Sequence, residues 1–297
     1  MDRSVGAAGS DFLCNPVLPA GNLHFAIHVV LVGSQPVLLR IALFLISLSI
    51  IFHGISHLSN FNYIDHYKKD AVEFDYFEKR KSATAHDERR VRELIISKIS
   101  KIVNSILDVG CGNGWVAKEF LPKGKQVYSL DISVTNPAKA IKLYQYEKHF
   151  GITADSFHLP FNDNSFDCVI ASEIIEHVFN PAAFIKELFR VVKKGGSLII
   201  TTPYKEKILY YLCIHCNQKT PANAHLHSFD EMKLEGLYSG NDLESFKYET
   251  FGNKVLLFLR THVVFQFFPF WLWKIKDKFA NWIYKKPVHI ICVYKKK

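Results

Sequence analysis

Residues 106–120 read ILDVGCGNGWVAKEF, and how they fold decides the architecture. A short apolar run ends at Asp108-Val109. Gly110, Cys111, Gly112, Asn113 and Gly114 then make a turn into a helix. Glycine reaches positive φ at little cost and lets a ligand come close to the backbone. The helix behind the turn presents N–H groups that no helical carbonyl takes. At the carboxyl edge of a parallel sheet, that is where a nucleotide-like ligand sits. The nicotinamide fingerprint G-x-G-x-x-G does not fit Gly110-x-Gly112-x-Gly114, and the Gly-Lys-Ser/Thr of a P-loop is absent.

Further β-prone runs follow at Gln126–Leu130, Cys168–Ala171 and Ser197–Thr201, most of them separated by amphipathic helical segments. Strand–helix alternation predicts a doubly wound, mostly parallel α/β sheet covered on both faces. Ser245–Phe251 and Val288–Tyr294 are expected to close it as two further strands. Upstream, residues 66–104 read as helical, with Val91, Leu94, Ile95 and Ile99 set among charges.

With these elements placed, the chain resembles the class I S-adenosylmethionine-dependent methyltransferases, whose first motif has the form D-V-G-C-G-N-G. Asp131, ending VYSLD, stands where that family's ribose-binding acid falls. Asp155, in TADSFHLPFNDNSFD, matches the acid that accepts from the adenine amino group, with Ser156 beside it. The stretch from LPFNDNSFD through EIIEHVFNPAAFIKELFRVVKKGGSLIITTP resembles the type 11 branch, and the resemblance as a whole covers roughly residues 70–250. The resemblance implies a seven-stranded Rossmann-like methyltransferase fold. It assigns S-adenosyl-L-methionine to Asp108, Gly110, Cys111, Gly112, Asn113, Gly114, Asp131, Ile132, Asp155 and Ser156. The Asn/Asp-Pro-Pro-aromatic tetrapeptide of nucleic-acid amino methylation is missing after the fourth strand, where ASEIIEHVFNP stands, so that branch is disfavoured.

Two clusters bear on the chemistry of the acceptor. Glu173-x-x-Glu176-His177 places three ionisable groups at i, i+3 and i+4, which share one face if the segment is helical. In some relatives such a run holds a divalent cation, Mg2+ for example. Here it offers either that, or His177 as a metal-free proton acceptor, or a helix cap. Cys213 and Cys216, with His225 and His227 downstream, offer the donor set of a tetrahedral Zn2+ site. The other reading is a pair of reduced thiols in a loop, with a histidine facing substrate.

The organisation expected from composition has three parts. Residues 1–57 are irregular, with an apolar candidate anchor helix at about 37–55. Residues 58–104 form an N-terminal helical region, and residues 105–297 the methyltransferase domain. An aromatic, basic insert, 254–286, separates the last two strands. With 37 Lys and Arg against 28 Asp and Glu, the chain carries a net charge of +9. That favours anionic partners. Tryptophans bracketed by lysines suit a membrane surface, and a substrate lid or dimer face is the other reading. Six cysteines in 297 residues are too few for a disulfide framework and fit a reducing compartment. The resulting expectation is an O-methyltransferase at the cytoplasmic face of a membrane, with a soluble cytoplasmic form as the alternative. Its acceptor would be a small-molecule, glycan, lipid-linked or quinone-type compound. The rivals are an RNA 2′-O-methyltransferase and a non-catalytic scaffold. Oligomeric state is not fixed by the sequence.

Overall fold

The computed structural model describes residues 62–80, 82–214 and 216–297. The irregular N-terminus and the anchor helix expected at 37–55 lie outside these residues. No helix among the described residues is long and apolar enough to cross a membrane.

The strand–helix alternation is realised as β1 (Ser105–Val109), α3 (Trp115–Phe120), β2 (Gln126–Asp131), α4 (Thr135–Leu143), β3 (His149–Thr153), β4 (Phe166–Ser172), α5 (Pro181–Arg190) and β5 (Val192–Pro203). Ahead of them stand α1 (Tyr63–Glu73) and α2 (Ser82–Lys98). After them come β6 (Tyr210–Leu212), β7 (Lys219–Pro221), α6 (Glu231–Glu235), β8 (Leu243–Asn253), α7 (Lys254–Phe258), α8 (His262–Phe265), α9 (Phe270–Ile283) and β9 (Pro287–Lys296). The seven-stranded sheet has the order β3-β2-β1-β4-β5-β9-β8. The first five strands are parallel, and β9 pairs antiparallel with both β5 and β8.

Alternation along each strand divides the core between the two faces. In β1, Ile106 packs with Val91, Leu94 and Ile95 of α2, Val116 and Phe120 of α3, and Trp273 of α9. Its neighbour Leu107 joins Phe184, Ile185, Leu188 and Phe189 of α5 on the opposite face. Asn180 caps α5, its Oδ1 accepting from the Ala183 N–H at 3.1 Å, and Pro181 fits the first helical position.

Three expectations need correction. The helical stretch 66–104 is two helices. Phe74 leaves α1 in an extended conformation, and Asp75 folds back to accept the Phe77 N–H at 3.1 Å, a local bond that competes with helix. Strand β5 begins at Val192, well before Ser197, because the β4–β5 pairing takes up a bulge between Phe166 and Cys168. Glu173, Glu176 and His177 do not lie on an α-helix. Glu173 is left-handed (φ +56°), and only Ile175–His177 turns, as a 3₁₀ segment.

Residues 209–223 form a separate unit, built on the hairpin of β6 (Tyr210–Leu212) and β7 (Lys219–Pro221). The turn at its tip is closed by the Cys213 N–H donating to the Gln218 carbonyl at 2.9 Å.

Candidate active site

Where the order passes from β1 to β4, the chain departs from the sheet in opposite directions and leaves a crevice at the carboxyl ends of the strands. The glycine turn opens into it. Gly110, Gly112 and Gly114 all have positive φ. A Cβ on Gly110 would sit 2.5 Å from Ile174 Cδ1, and one on Gly114 would sit 2.9 Å from the Ala140 Cβ. The Cys111 N–H ties the turn to the Leu130 carbonyl at 2.9 Å. Burial pushes the Cys111 thiol well up, so it stays protonated and acts as a small apolar filler. Asn113, Ile132 and Ser156 are half-buried at the rim.

Asp131 ends β2, and the loop after it holds its carboxylate. Oδ1 accepts the Ser133 N–H at 3.1 Å and Oδ2 the Asn136 amide at 3.0 Å. Burial raises its pKa against those hydrogen bonds. Asp108, at the end of β1, is fully enclosed, and its Oδ2 has no hydrogen-bond partner among the described residues. Burial, then the charge of Asp131, pushes its pKa up to about 8. A buried acid with an open acceptor needs a donor, and a ligand ammonium or hydroxyl would supply one. The bare cradle and this orphan oxygen both fit an adenosyl amino-acid ligand.

Asp155 is the third acid. Its Oδ1 accepts the Phe157 N–H at 3.0 Å, and Oδ2 accepts the Tyr63 hydroxyl at 2.6 Å. The α1 region thus covers the cradle. The Tyr67 hydroxyl donates to the His177 carbonyl at 3.2 Å, and the Tyr76 ring faces Gly112. Sequence reasoning did not single out these tyrosines, because their partners lie up to 110 residues away.

The run at the end of β4 converges only in part: Glu176 Oε1 lies 3.9 Å from His177 Nε2, while Glu173 turns away from both. The Glu176 carboxyl is buried, and its Oε2 accepts the Thr202 hydroxyl at 3.0 Å. Burial, then the neighbouring Glu173 charge, raises its pKa well above the usual carboxylate range. Glu173 instead points Oε2 to within 3.4 Å of His289 Nδ1, an ion-pair distance, and its Oε1 is buried with no hydrogen-bond partner among the described residues. Across the ring, His289 Nε2 lies 2.8 Å from Asp87 Oδ2. Burial opposes a charge on His289, but Glu173 and Asp87 together outweigh it and hold its pKa well above the ordinary imidazole value. Asp87 and His289 were not read from the sequence. One of the two acids in HDERR and a lone histidine in an apolar strand carry no local signal of each other.

His177 is neutral over the physiological range, because burial, then the His225 ring, lowers its pKa to about 4. Its Nδ1 lies 3.3 Å from the Ala224 carbonyl, which only accepts, so the proton sits on Nδ1 and Nε2 presents a lone pair. His225, 4.8 Å from it ring to ring, bonds Glu206 Oε2 through Nδ1 at 2.5 Å. One ligand atom each of Glu176, His177 and His225 lies within 4.8 Å of the other two, a grouping that excludes Glu173. The Zn2+ set read from the sequence is divided between two units of the chain. Cys213 and Cys216 belong to the hairpin unit. His225 and His227 belong to the sheet domain, with His225 on Glu206 and His227 Nε2 on the Val178 carbonyl at 2.9 Å.

Residues 107–200 match the family described as "Methyltransferase domain". The chain is 39% identical over 119 residues to the mitochondrial ubiquinone biosynthesis O-methyltransferase of Rattus norvegicus, covering 37% of this chain and 33% of that protein. The Bos taurus protein of the same name is 33% identical over 154 residues, 46% of this chain and 40% of that one. The chain thus spans a third to two-fifths of the length of these relatives. Among solved structures, the PH0226 protein of Pyrococcus horikoshii superposes with a TM-score of 0.50 at 19% identity, over 77% of this chain and 99% of that one. Phosphoethanolamine N-methyltransferase 2 of Haemonchus contortus, solved with S-adenosyl-L-methionine, gives 0.50 at 17% identity, over 70% and 52%. The family match identifies residues 107–200 as similar to a methyltransferase domain, and the solved structures share the fold around it.

Proposed function

We propose that the chain moves the methyl group of S-adenosyl-L-methionine to a hydroxyl of a small, quinone-type acceptor. The observation that carries this reading is the crevice itself. A glycine cradle and three acids lie on one side of it, and a neutral histidine with an open lone pair lies beyond the end of β4. The donor supplies a methyl carbon made electrophilic by its sulfonium. The chain's residues bind, orient and accept a proton. Asp108 takes the amino-acid end through its open oxygen, Asp131 the ribose hydroxyls, and Asp155 with Ser156 the adenine edge, under the cover of Tyr63. His177 Nε2 takes the acceptor proton as the new C–O bond forms. A base with a lowered pKa suffices there, because an oxygen gaining a methyl group becomes strongly acidic before its proton leaves.

Oxygen as the nucleophile and a quinone-type ring as the acceptor are supported by the likeness to the two ubiquinone O-methyltransferases. A cation at this end of β4 would use Glu176, His177 and His225. Two imidazoles and one carboxylate suit Zn2+ or a similar transition ion better than Mg2+, which prefers oxygen.

Calorimetric titration of the full chain with S-adenosyl-L-methionine, with Asp131→Ala alongside, tests the cofactor half. Methyl incorporation into dihydroxy-aromatic quinone precursors, with His177→Ala alongside, tests the acceptor half. No binding by folded protein refutes the reading. Binding without transfer to any hydroxylated aromatic refutes the acceptor class alone.

A further inference from the structure

The insert between β8 and β9 packs only one side of its longest helix. Trp273 and Asp277, one turn apart on α9, are buried against the sheet domain. The opposite stripe, Trp271, Ile275, Phe279 and Trp282, at helical spacing, is open: Trp271 is 64% and Trp282 79% exposed. In the same insert, Phe258 and Phe267 are 85% and 81% exposed. Soluble surfaces scatter large apolar side chains singly, and a contiguous stripe of this kind marks a contact.

The charge of the insert says with what. Residues 254–286 hold seven Lys and Arg and one acid, Asp277. Asp277 is buried, and its Oδ2 is taken by the Gly252 N–H at 3.1 Å. The insert therefore shows no exposed carboxylate. Lys278 lies on the aromatic stripe itself, one turn from Trp271-side Ile275 and one from Trp282, and Lys285 and Lys286 follow the helix end, all three exposed. A protein interface core is depleted of lysine. A helix with Trp and Phe on one face and lysines among them has the composition that lies in an anionic lipid surface. At 14 residues, about 21 Å, α9 is too short to span a bilayer and long enough to lie along one.

We propose that the open face of α9 docks on an anionic lipid bilayer, with Trp271, Ile275, Phe279 and Trp282 at the acyl boundary and Lys278, Lys285 and Lys286 at the headgroups. Docking is independent of the methyl-transfer reading, since it needs neither cofactor nor turnover. It also gives an apolar acceptor a surface from which to reach the domain.

The chain has four tryptophans, Trp115, Trp271, Trp273 and Trp282, and none before residue 115. Three of them lie on α9 and Trp115 on α3, so the quenching that Trp271→Phe/Trp282→Phe removes reports on the open face of α9, and no tryptophan of the N-terminal segment contributes. The full chain is mixed with phosphatidylcholine vesicles, with or without phosphatidylglycerol, that carry brominated acyl chains. Expected are binding that requires phosphatidylglycerol and quenching of the wild type. Trp271→Phe/Trp282→Phe should bind but lose the quenching. Lys278→Ala/Lys285→Ala/Lys286→Ala should bind about five-fold more weakly per lysine removed. No binding to anionic vesicles overturns the proposal. So does binding without quenching of Trp271 and Trp282. So does light scattering that shows the stripe closed in a dimer the aromatic variants dissolve.

Discussion

Asp87→Asn separates the role of the Asp87–His289–Glu173 chain from ordinary packing. His289 is buried and its pKa stands well above the ordinary imidazole value, so the folded state holds a proton that the unfolded chain releases near pH 6.5. A raised folded-state value means that this stabilisation is complete below about pH 6.5 and is lost as pH climbs through the folded value. Removing one partner of a buried ion pair costs about 3–5 kcal/mol. Asp87 is about a third exposed, which places the loss nearer about 2–3 kcal/mol. For a chain of this size that is a fall in melting temperature of roughly 4–6 °C. Asparagine can still accept from a neutral imidazole, so the loss should shrink as pH rises. The assay is thermal unfolding by circular dichroism from about pH 6 to about pH 9, with Glu88→Gln, a half-buried neighbour on α2 that pairs with Arg92 and does not touch His289, as the control. An equal loss at every pH, or a wild-type and variant pair with parallel pH profiles, refutes a charged His289.

Gly110→Ala should lose about 1–2 kcal/mol from its left-handed backbone, plus whatever Ile174 must yield, and should weaken S-adenosyl-L-methionine binding. Gly124→Ala, with φ +76° and no atom within 4 Å of a new Cβ, carries the backbone cost alone, so equal losses in denaturant titration would deny the contact with Ile174. Arg90→Met should cost about 3 kcal/mol, because the buried guanidinium donates to the Phe265 and Phe268 carbonyls at 2.6 and 2.9 Å. A melting temperature within a degree or so of the wild type would contradict that. Cobalt titration followed by its visible absorption should give a signal that His225→Ala abolishes and Glu173→Ala leaves. The reverse pattern would return the cation to the contiguous run.

The framework was legible because its signals are local. The glycine turn, the alternation of β1 and β4, the order of acids at Asp108, Asp131 and Asp155, and the insert before β9 each occupy one short stretch. What the sequence concealed depends on contacts across the chain. Glu173 looked like a member of a helical trio, yet its left-handed backbone turns it toward a histidine 116 residues later and an acid 86 residues earlier. Tyr63 carried no mark of its bond to Asp155. The break between α1 and α2 was missed because one short Asp75 turn outweighed a helical pattern on both sides. The insert's composition was read, but not its division into a buried and an open face. That depends on Arg90 reaching its carbonyls and lying 5.1 Å from the Trp273 ring.

The grip of Arg90 bears on how freely the insert could be cut from its host. Asp87 and Arg90 sit one turn apart on α2, the first holding His289 beyond the insert and the second holding its backbone from within. Excising residues 254–286 to recover a minimal domain would leave a buried cation without its two carbonyl acceptors and uncover the core where Trp273 stood. It would also reset the entry into β9 only a few residues before His289. The segment is thus keyed into the domain rather than hung from it. Grafting it onto another domain of this fold would require carrying α2 along.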